Sequence, residues 1–260
     1  MRHELRLFLI ALQFLTRVPV PAWVGWHPDW MHQSARHFPL VGAFVGAFAA
    51  LVFWGAAHLW SALVAVLLSM VATVWLTGAF HEDGLADTCD GLGGAVSKQR
   101  ALEIMKDSRL GTYGTVGLLA VLALKAAALA GLAARDLAAT LVLLPLAHCW
   151  SRVAAVALLR ALPYAGDIEH AKAKPMAQRL DSTGLAVALG WAALATVLAS
   201  PWWSAGRLAA GALATVATAW LMARWLRLRL GGYTGDTLGA TQQFSELAVY
   251  LVLLALLSRG

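Results

Sequence analysis

SALVAVLLSMVATVWLTGAFHEDGLADTCDG, residues 61–91, opens with twenty uncharged, mostly apolar residues. It then places four carboxylates, Glu82, Asp83, Asp87 and Asp90, and one histidine, His81, within ten positions. About 20 apolar residues suffice for a helix to cross the hydrocarbon core of a bilayer. The stretch therefore predicts a membrane span with dense negative charge at its mouth. The whole chain agrees with its first half. Of 260 residues, 60% are hydrophobic and 13% charged, with a mean hydropathy of +0.68, whereas soluble domains carry about 25% charged residues. The fold class expected is all-α: a polytopic integral membrane bundle of about seven helices. No linker or composition shift divides it, so residues 1–260 read as one domain.

Apolar runs at 39–59, 61–80, 112–133, 137–159, 184–200 and 206–226 predict six spans. A seventh, 237–258, is apolar only in its second half. His58, Trp60 and Ser61 interrupt the run over 40–80 and predict a tight turn between two antiparallel helices. Trp23, Trp26, Trp30, Trp60, Trp202 and Trp203 fall at boundaries and suit an aromatic belt, while Trp150 lies within a span as a packing residue. The N-terminal MRHELRLFLIALQFLTRVPVP carries acidic Glu4, and Arg17 and proline where a small-residue cleavage site belongs. It reads as a retained amphipathic, interfacial segment rather than a signal peptide.

Charge tests this layout. Seven spans place fifteen of the twenty basic residues on one face: Arg2, Arg6, Arg17, Arg36, Lys98, Arg100, Lys106, Arg109, Arg160, Lys172, Lys174, Arg179, Arg224, Arg227 and Arg229. The other face receives Arg135, Arg207 and Arg259, and Lys125 and Arg152 fall within spans. The positive-inside rule makes the first face cytoplasmic, with the N-terminus inside and the C-terminus outside. Thirteen of the fourteen acidic residues lie on or near that face, Asp136 being the exception. Acids contribute little to topology, so their gathering points to function. The net charge of +6 does not indicate nucleic acid, because the basic residues form short clusters rather than a stripe. Cys89 and Cys149 have no metal or redox spacing. No P-loop sequence occurs, and no internal repeat suggests an inverted-repeat transporter.

If the helix of 61–80 continues through residue 90, Asp83, Asp87 and Asp90 fall within about 60° of one another. Three carboxylates on one face repel unless a cation lies among them, and an oxygen-only donor set suits Mg²⁺, with Mn²⁺ as a substitute. These three are the expected metal ligands and, with His81, the catalytic candidates. His81 is placed to hydrogen-bond a carboxylate or move a proton. Glu82 points about 100° away and is expected in solvent.

Two further segments share the acidic face. MKDSRLGTYGTVG, residues 105–117, brings Lys106, Asp107, Ser108 and Arg109 to the start of a span, whose free N–H groups favour a phosphate. GGYTGDTLGATQQFSE, residues 231–246, brings Thr234 and Asp236, and runs into only eleven apolar residues. Glu246 then lies about 15 Å into the helix, a depth at which a carboxylate needs a cavity, a metal or a cation. Arg152 is its expected partner; Lys125, deeper, reads as structural. Acids for a metal, cations and helix ends for phosphate, and a polar notch together equip a phosphoryl-transfer site.

These pieces, with LQFLTRVPVP (12–21) and HFPLVGAFVG (37–46), resemble the adenosylcobinamide-GDP ribazoletransferase, or cobalamin 5′-phosphate synthase, family in the family's order over residues 12–246. The resemblance implies a Mg²⁺-dependent, multi-pass enzyme of the bacterial inner membrane. Its substrates would be adenosylcobinamide-GDP and α-ribazole or α-ribazole 5′-phosphate, with GMP released. It implies Asp83, Asp87 and Asp90 on Mg²⁺ against the diphosphate, Lys106 and Arg109 against developing charge on GMP, and Asp236 and Glu246 completing the metal site or orienting the ribazole. Subunit number stays open, a homo-oligomer included. A CDP-alcohol phosphotransferase is the alternative enzyme, but its D-G-x-x-A-R pattern is absent after Asp83-Gly84. A divalent cation transporter is the alternative from another class, although the outer half of the chain is nearly devoid of ionisable residues.

Overall fold

The computed structural model describes residues 2–94, 97–166 and 180–257, and every helix or strand element among them is a helix. The helices are α1 (Arg2–Leu15), α2 (Pro28–Ser34), α3 (Phe38–Ala57), α4 (Ala62–Thr77), α5 (Phe80–Gly93) and α6 (Lys98–Lys106). They are followed by α7 (Thr112–Ala133), α8 (Leu137–Ala161), α9 (Ser182–Ala199), α10 (Ala205–Arg229) and α11 (Gly235–Leu257). The α2–α3 run and α7 to α11 are six helices long and apolar enough to cross a membrane, and the α4–α5 pair makes a bent seventh. Lys172, Lys174, Arg179 and Arg259, four of the residues that orient the chain by charge, lie outside the described residues, as does Ser258 of the last expected span.

Local chemistry sets the boundaries. Asp181 accepts a hydrogen bond from Gly184 N at 2.7 Å to cap α9, and Asp136 accepts one from Ala139 N at 2.9 Å to cap α8. Both satisfy amides that a helix start leaves without partners. Asp136, the one acid away from the others, is thus a helix cap. Gly42 and Gly46 of α3 press on the α8 backbone. A Cβ at Gly42 would lie 2.2 Å from the His148 carbonyl oxygen, and one at Gly46 would lie 2.5 Å from that of Leu144. This small-x-x-x-small crossing lets two spans approach without a hydrophobic driving force.

The expectation that the helix of 61–80 runs on through residue 90 is wrong. α4 stops at Thr77, and α5 leaves at 90° to it. Gly78 (φ 68°) and Ala79 (φ 59°) are both left-handed, and the Ala79 amide closes the helix end onto the Val74 carbonyl at 2.9 Å. Left-handed backbone costs an L-residue about 1–2 kcal/mol. Arg17 packs over Gly78, with its own amide on the Leu76 carbonyl at 2.8 Å. At 16 residues, α4 is about 24 Å long, so the bend falls short of a full crossing and swings α5 across the ends of its neighbours.

Those ends gather on one side. Gly84 of α5 touches Asp236 at the start of α11, Asp90 bonds the start of α7, and Arg229 at the end of α10 donates to the Leu92 and Gly94 carbonyls at 3.3 and 2.8 Å. Tyr233, just before α11, donates its amide to Pro163 O, just after α8, at 3.0 Å. α1 is the expected amphipathic segment. It buries Leu7, Ile10, Ala11 and Leu15, and ties Glu4 to Arg36 at 3.3 Å and His37 at 3.0 Å. Trp150 packs inside, as expected. Trp203 is not a belt residue: it is buried and donates to the Ala139 carbonyl at 3.0 Å.

Candidate active site

The aspartates are carried on α5, one helix as the spacing required. Asp83 is exposed, and Asp87 and Asp90 are half-buried. Each has a different setting. Asp90 Oδ2 accepts from Gly111 N and Oδ1 from Gly114 N, both at 2.7 Å. It is a cap on α7, supplied by another helix. A Cβ at Gly111 or Gly114 would lie 2.4 or 2.3 Å from an Asp90 oxygen, so these glycines admit the carboxylate. The α7 start, expected to receive a phosphate, already holds an anion from its own chain.

Asp83 and Asp87 follow one another on the remaining edge, and Gly84 between them in sequence lies directly against α11. A Cβ there would stand 2.7 Å from the Asp236 carbonyl oxygen. The backbone of half-buried Asp236 thus packs on α5 between the positions of Asp83 and Asp87. Among the described residues no three His, Cys, Asp or Glu side chains converge closely enough to hold an ion unaided. Such an edge fits Mg²⁺ in the form it commonly takes, held by one or two carboxylates with substrate phosphate completing the shell.

The expected phosphate-binding loop meets α5 at its far end, where Met105 packs on Gly91 and Gly111 binds Asp90. Lys106 ends α6 and is exposed, as are Ser108 and Arg109. Asp107 accepts from Arg109 through Nε at 3.0 Å and Nη2 at 2.6 Å. That hydrogen bonding, with the charge of Asp107, raises the pKa of the guanidinium. The pair is solvent-facing, so an incoming phosphate competes with it at little cost. Thr234 is buried and works at the start of α11. Its amide donates to Thr237 Oγ1 at 2.9 Å while the Thr237 amide donates to Thr234 Oγ1 at 3.3 Å, a reciprocal cap.

Behind α5 lies a buried polar network that sequence reasoning found only in part. Glu246, eleven residues into α11, is about 16 Å from its start. It pairs with Lys125 Nζ of α7 at 2.7 Å, and receives Tyr250 Oη at 3.2 Å and Gln242 Nε2. His148 Nε2 of α8 is 3.4 Å away. Lys125 also donates to Gln243 at 3.0 Å, which in turn donates to Glu82 at 2.9 Å. The direct partner of Glu246 is therefore Lys125, the residue read as structural. Arg152 donates instead to the His148 carbonyl at 2.9 Å. Glu82, expected in solvent, faces inward: the 90° bend rotates α5 so that this side meets α11. With two cations and two carboxylates the network is balanced, as burial requires.

His81 belongs to this inner side too. It is buried, about 160° around α5 from Asp83 at helical spacing, and lines two adjoining cavities with Arg152 and Gln242. One, of about 40 Å³, is otherwise apolar, with Phe14, Phe38 and Phe80 in its wall. The other, of about 10 Å³, is lined by the polar network. Arg152 Nε and Gln242 Oε1 border both, and have no hydrogen-bond partner among the described residues. The structure thus separates the sequence-predicted site into an outer edge of Asp83, Asp87 and Asp236 with the Lys106–Arg109 loop, and an inner notch of His81, Arg152 and Glu246. Lys125, His148, Gln242 and Gln243 are the members missed or undervalued. Their signal was polarity within otherwise apolar spans.

Comparison with known proteins places the chain. Residues 7–254 match the model of the cobalamin-5-phosphate synthase family. The adenosylcobinamide-GDP ribazoletransferase of Leptothrix cholodnii is 66% identical over 97% of this chain and 96% of its own. The enzyme of the same name from Vibrio cholerae is 46% identical over 99% and 96%, and that from Shewanella piezotolerans 44% over 97% and 96%. No solved structure matches. The CDP-alcohol phosphotransferase and cation-transporter readings give way to these likenesses. By the family model and by relatives aligned along nearly its whole length, the chain belongs to the cobalamin-5-phosphate synthase family.

Proposed function

We propose that this chain joins adenosylcobinamide-GDP to α-ribazole or α-ribazole 5′-phosphate, releasing GMP, with Mg²⁺ held at Asp83 and Asp87 on the cytoplasmic side of the bacterial inner membrane. The likeness of the whole chain to named ribazoletransferases supports the reaction. The observation that supports the site is the turned helix α5, which carries two carboxylates past the Asp236 backbone and is bound through Asp90 to Gly111, at the end of the segment that holds Lys106 and Arg109.

In the transfer, a ribose hydroxyl of the ribazole forms a bond to the cobinamide-side phosphorus, the bond from that phosphorus to the GMP oxygen breaks, and the hydroxyl proton passes to a carboxylate. When bound, Mg²⁺ would neutralise charge on the diphosphate. That carboxylate belongs to the outer edge, because His81 faces the interior. Asp236 orients the incoming ribose across the α5–α11 contact. Lys106 and Arg109 stabilise the charge that builds on GMP, Arg109 by leaving Asp107 for phosphate oxygens. Asp90 does not touch substrate: it fixes α5 to α7. The buried network fixes α5, α7, α8 and α11 relative to one another, so the reacting edge is presented on rigid elements.

The test is GMP release by the purified chain in micelles with Mg²⁺, adenosylcobinamide-GDP and α-ribazole. Asp87→Asn should lower turnover by about 100-fold or more, the scale of losing one group that offsets transition-state charge. Mg²⁺-dependent release at the wild-type rate would refute the assignment of Asp87. No release from the folded wild-type chain would refute the reaction.

A further inference from the structure

The basic cluster at the end of α10 has no task in the chemistry above, and the structure divides it in two. Arg229 is turned inward onto the carbonyls of Leu92 and Gly94. Arg224 and Arg227 are exposed and make no ion pair or side-chain hydrogen bond among the described residues. They stand three residues apart, on one face of α10. At 25 residues, α10 is about 37 Å long, longer than a hydrocarbon core of about 30 Å, so its last turns emerge among headgroups. They emerge on the same side as α5, because Arg229 binds the end of that helix.

Below these arginines a groove of about 540 Å³ opens between α8 and α10, walled by Ala157, Ala223, Trp220 and Leu228. Its volume is that of a small-molecule site, roughly 300–1,000 Å³. Its rim is apolar and outward-facing: Trp220 is 62% and Leu228 73% exposed, a surface suited to lipid rather than water. We propose that the groove binds one anionic glycerophospholipid, its phosphate on Arg224 and Arg227 and an acyl chain between α8 and α10. The arginine pair supplies the charge complementarity, and the small side chains Ala157 and Ala223 make room for the chain. A soluble phosphate would meet the same two cations but leave the apolar groove unfilled. The site is independent of the catalytic reading, since neither arginine touches the edge of Asp83 and Asp87.

The full chain, purified in mild detergent, is equilibrated with mixed micelles holding equal phosphatidylglycerol and phosphatidylcholine, and retained lipids are counted by native mass spectrometry. Phosphatidylglycerol should be retained in preference. One basic residue near an anionic headgroup is worth about fivefold, so Arg224→Gln/Arg227→Gln should weaken the preference by up to about 30-fold. Arg160→Gln, an exposed charge on α8 outside the groove, should leave it unchanged. Ala157→Phe fills the groove while keeping both arginines and should also expel the lipid, which keeps the test decisive if the double variant fails to fold. Phosphatidylglycerol retained at the wild-type level in both the double variant and Ala157→Phe would overturn the proposal. So would displacement of the lipid by inorganic phosphate, or a wild-type dimer that excludes lipid and is split by Trp220→Ala.

Discussion

Asp90→Ala separates the aspartate that caps α7 from those proposed to face substrate. The side chain makes two hydrogen bonds of 2.7 Å to the amides of Gly111 and Gly114, from another helix and partly buried. Loss of an N-cap costs about 0.5–2 kcal/mol, and a hydrogen bond to a charged group is worth about 1.5–3 kcal/mol. The two bonds share one cap, so these values overlap, and a loss of about 2–4 kcal/mol is expected. Net stability of a domain is about 5–15 kcal/mol, so the variant should fold but unfold at visibly lower denaturant. Asp83→Asn, at an exposed position, should stay within about 0.5 kcal/mol of wild type while losing GMP release. The assay is denaturant unfolding in mixed micelles beside turnover for both variants. An Asp90→Ala protein as stable as wild type, or an Asp83→Asn protein that loses the larger share of stability, would refute this division of labour.

Three further outcomes follow from the geometry. Lys125→Met leaves Glu246 buried without its cation and should cost about 3–5 kcal/mol; Lys125→Met/Glu246→Gln should recover part of that, and strict additivity in the unfolding cycle would show that the 2.7 Å pair is not coupled. Gly84→Ala puts a Cβ 2.7 Å from the Asp236 carbonyl, and overpacking of this kind costs about 1–3 kcal/mol; turnover should fall as α11 shifts from α5, and unchanged kinetics would mean that the contact positions nothing. A reporter active only in the cytoplasm, fused after residue 260, should be silent, and a bright signal would reverse the orientation.

The spans were legible because the bilayer imposes one requirement on every one of them. Lipid-facing side chains such as Val71, Leu119 and Val216 must be apolar over about 20 residues, and hydropathy reads that directly. The α4–α5 bend was not legible. Gly78 and Ala79 sit in an unbroken apolar run, and Ala79, an ordinary residue, is left-handed beside a Gly78 that Arg17 covers, a contact from a distant part of the chain. The error spread from there: a straight helix left Glu82 in solvent, and the bent one delivers it to Gln243. That the three aspartates share one helix was legible from spacing, but not the Asp90 cap, because it depends on a helix that starts more than twenty residues later. The buried network was half legible. Lys125, Arg152 and Glu246 announced themselves as charges at membrane depth, yet the Lys125–Glu246 pairing across 121 positions leaves no mark on either segment.

The central claim is that Asp83 and Asp87 share a divalent ion with the substrate diphosphate. Electron paramagnetic resonance of Mn²⁺ bound to the purified chain with adenosylcobinamide-GDP tests it most directly. The account predicts hyperfine coupling from phosphorus to Mn²⁺ in the wild-type complex, and loss of tight Mn²⁺ binding in Asp83→Asn/Asp87→Asn with the protein still folded. Mn²⁺ bound as tightly, with the same phosphorus coupling, in the double variant would contradict it.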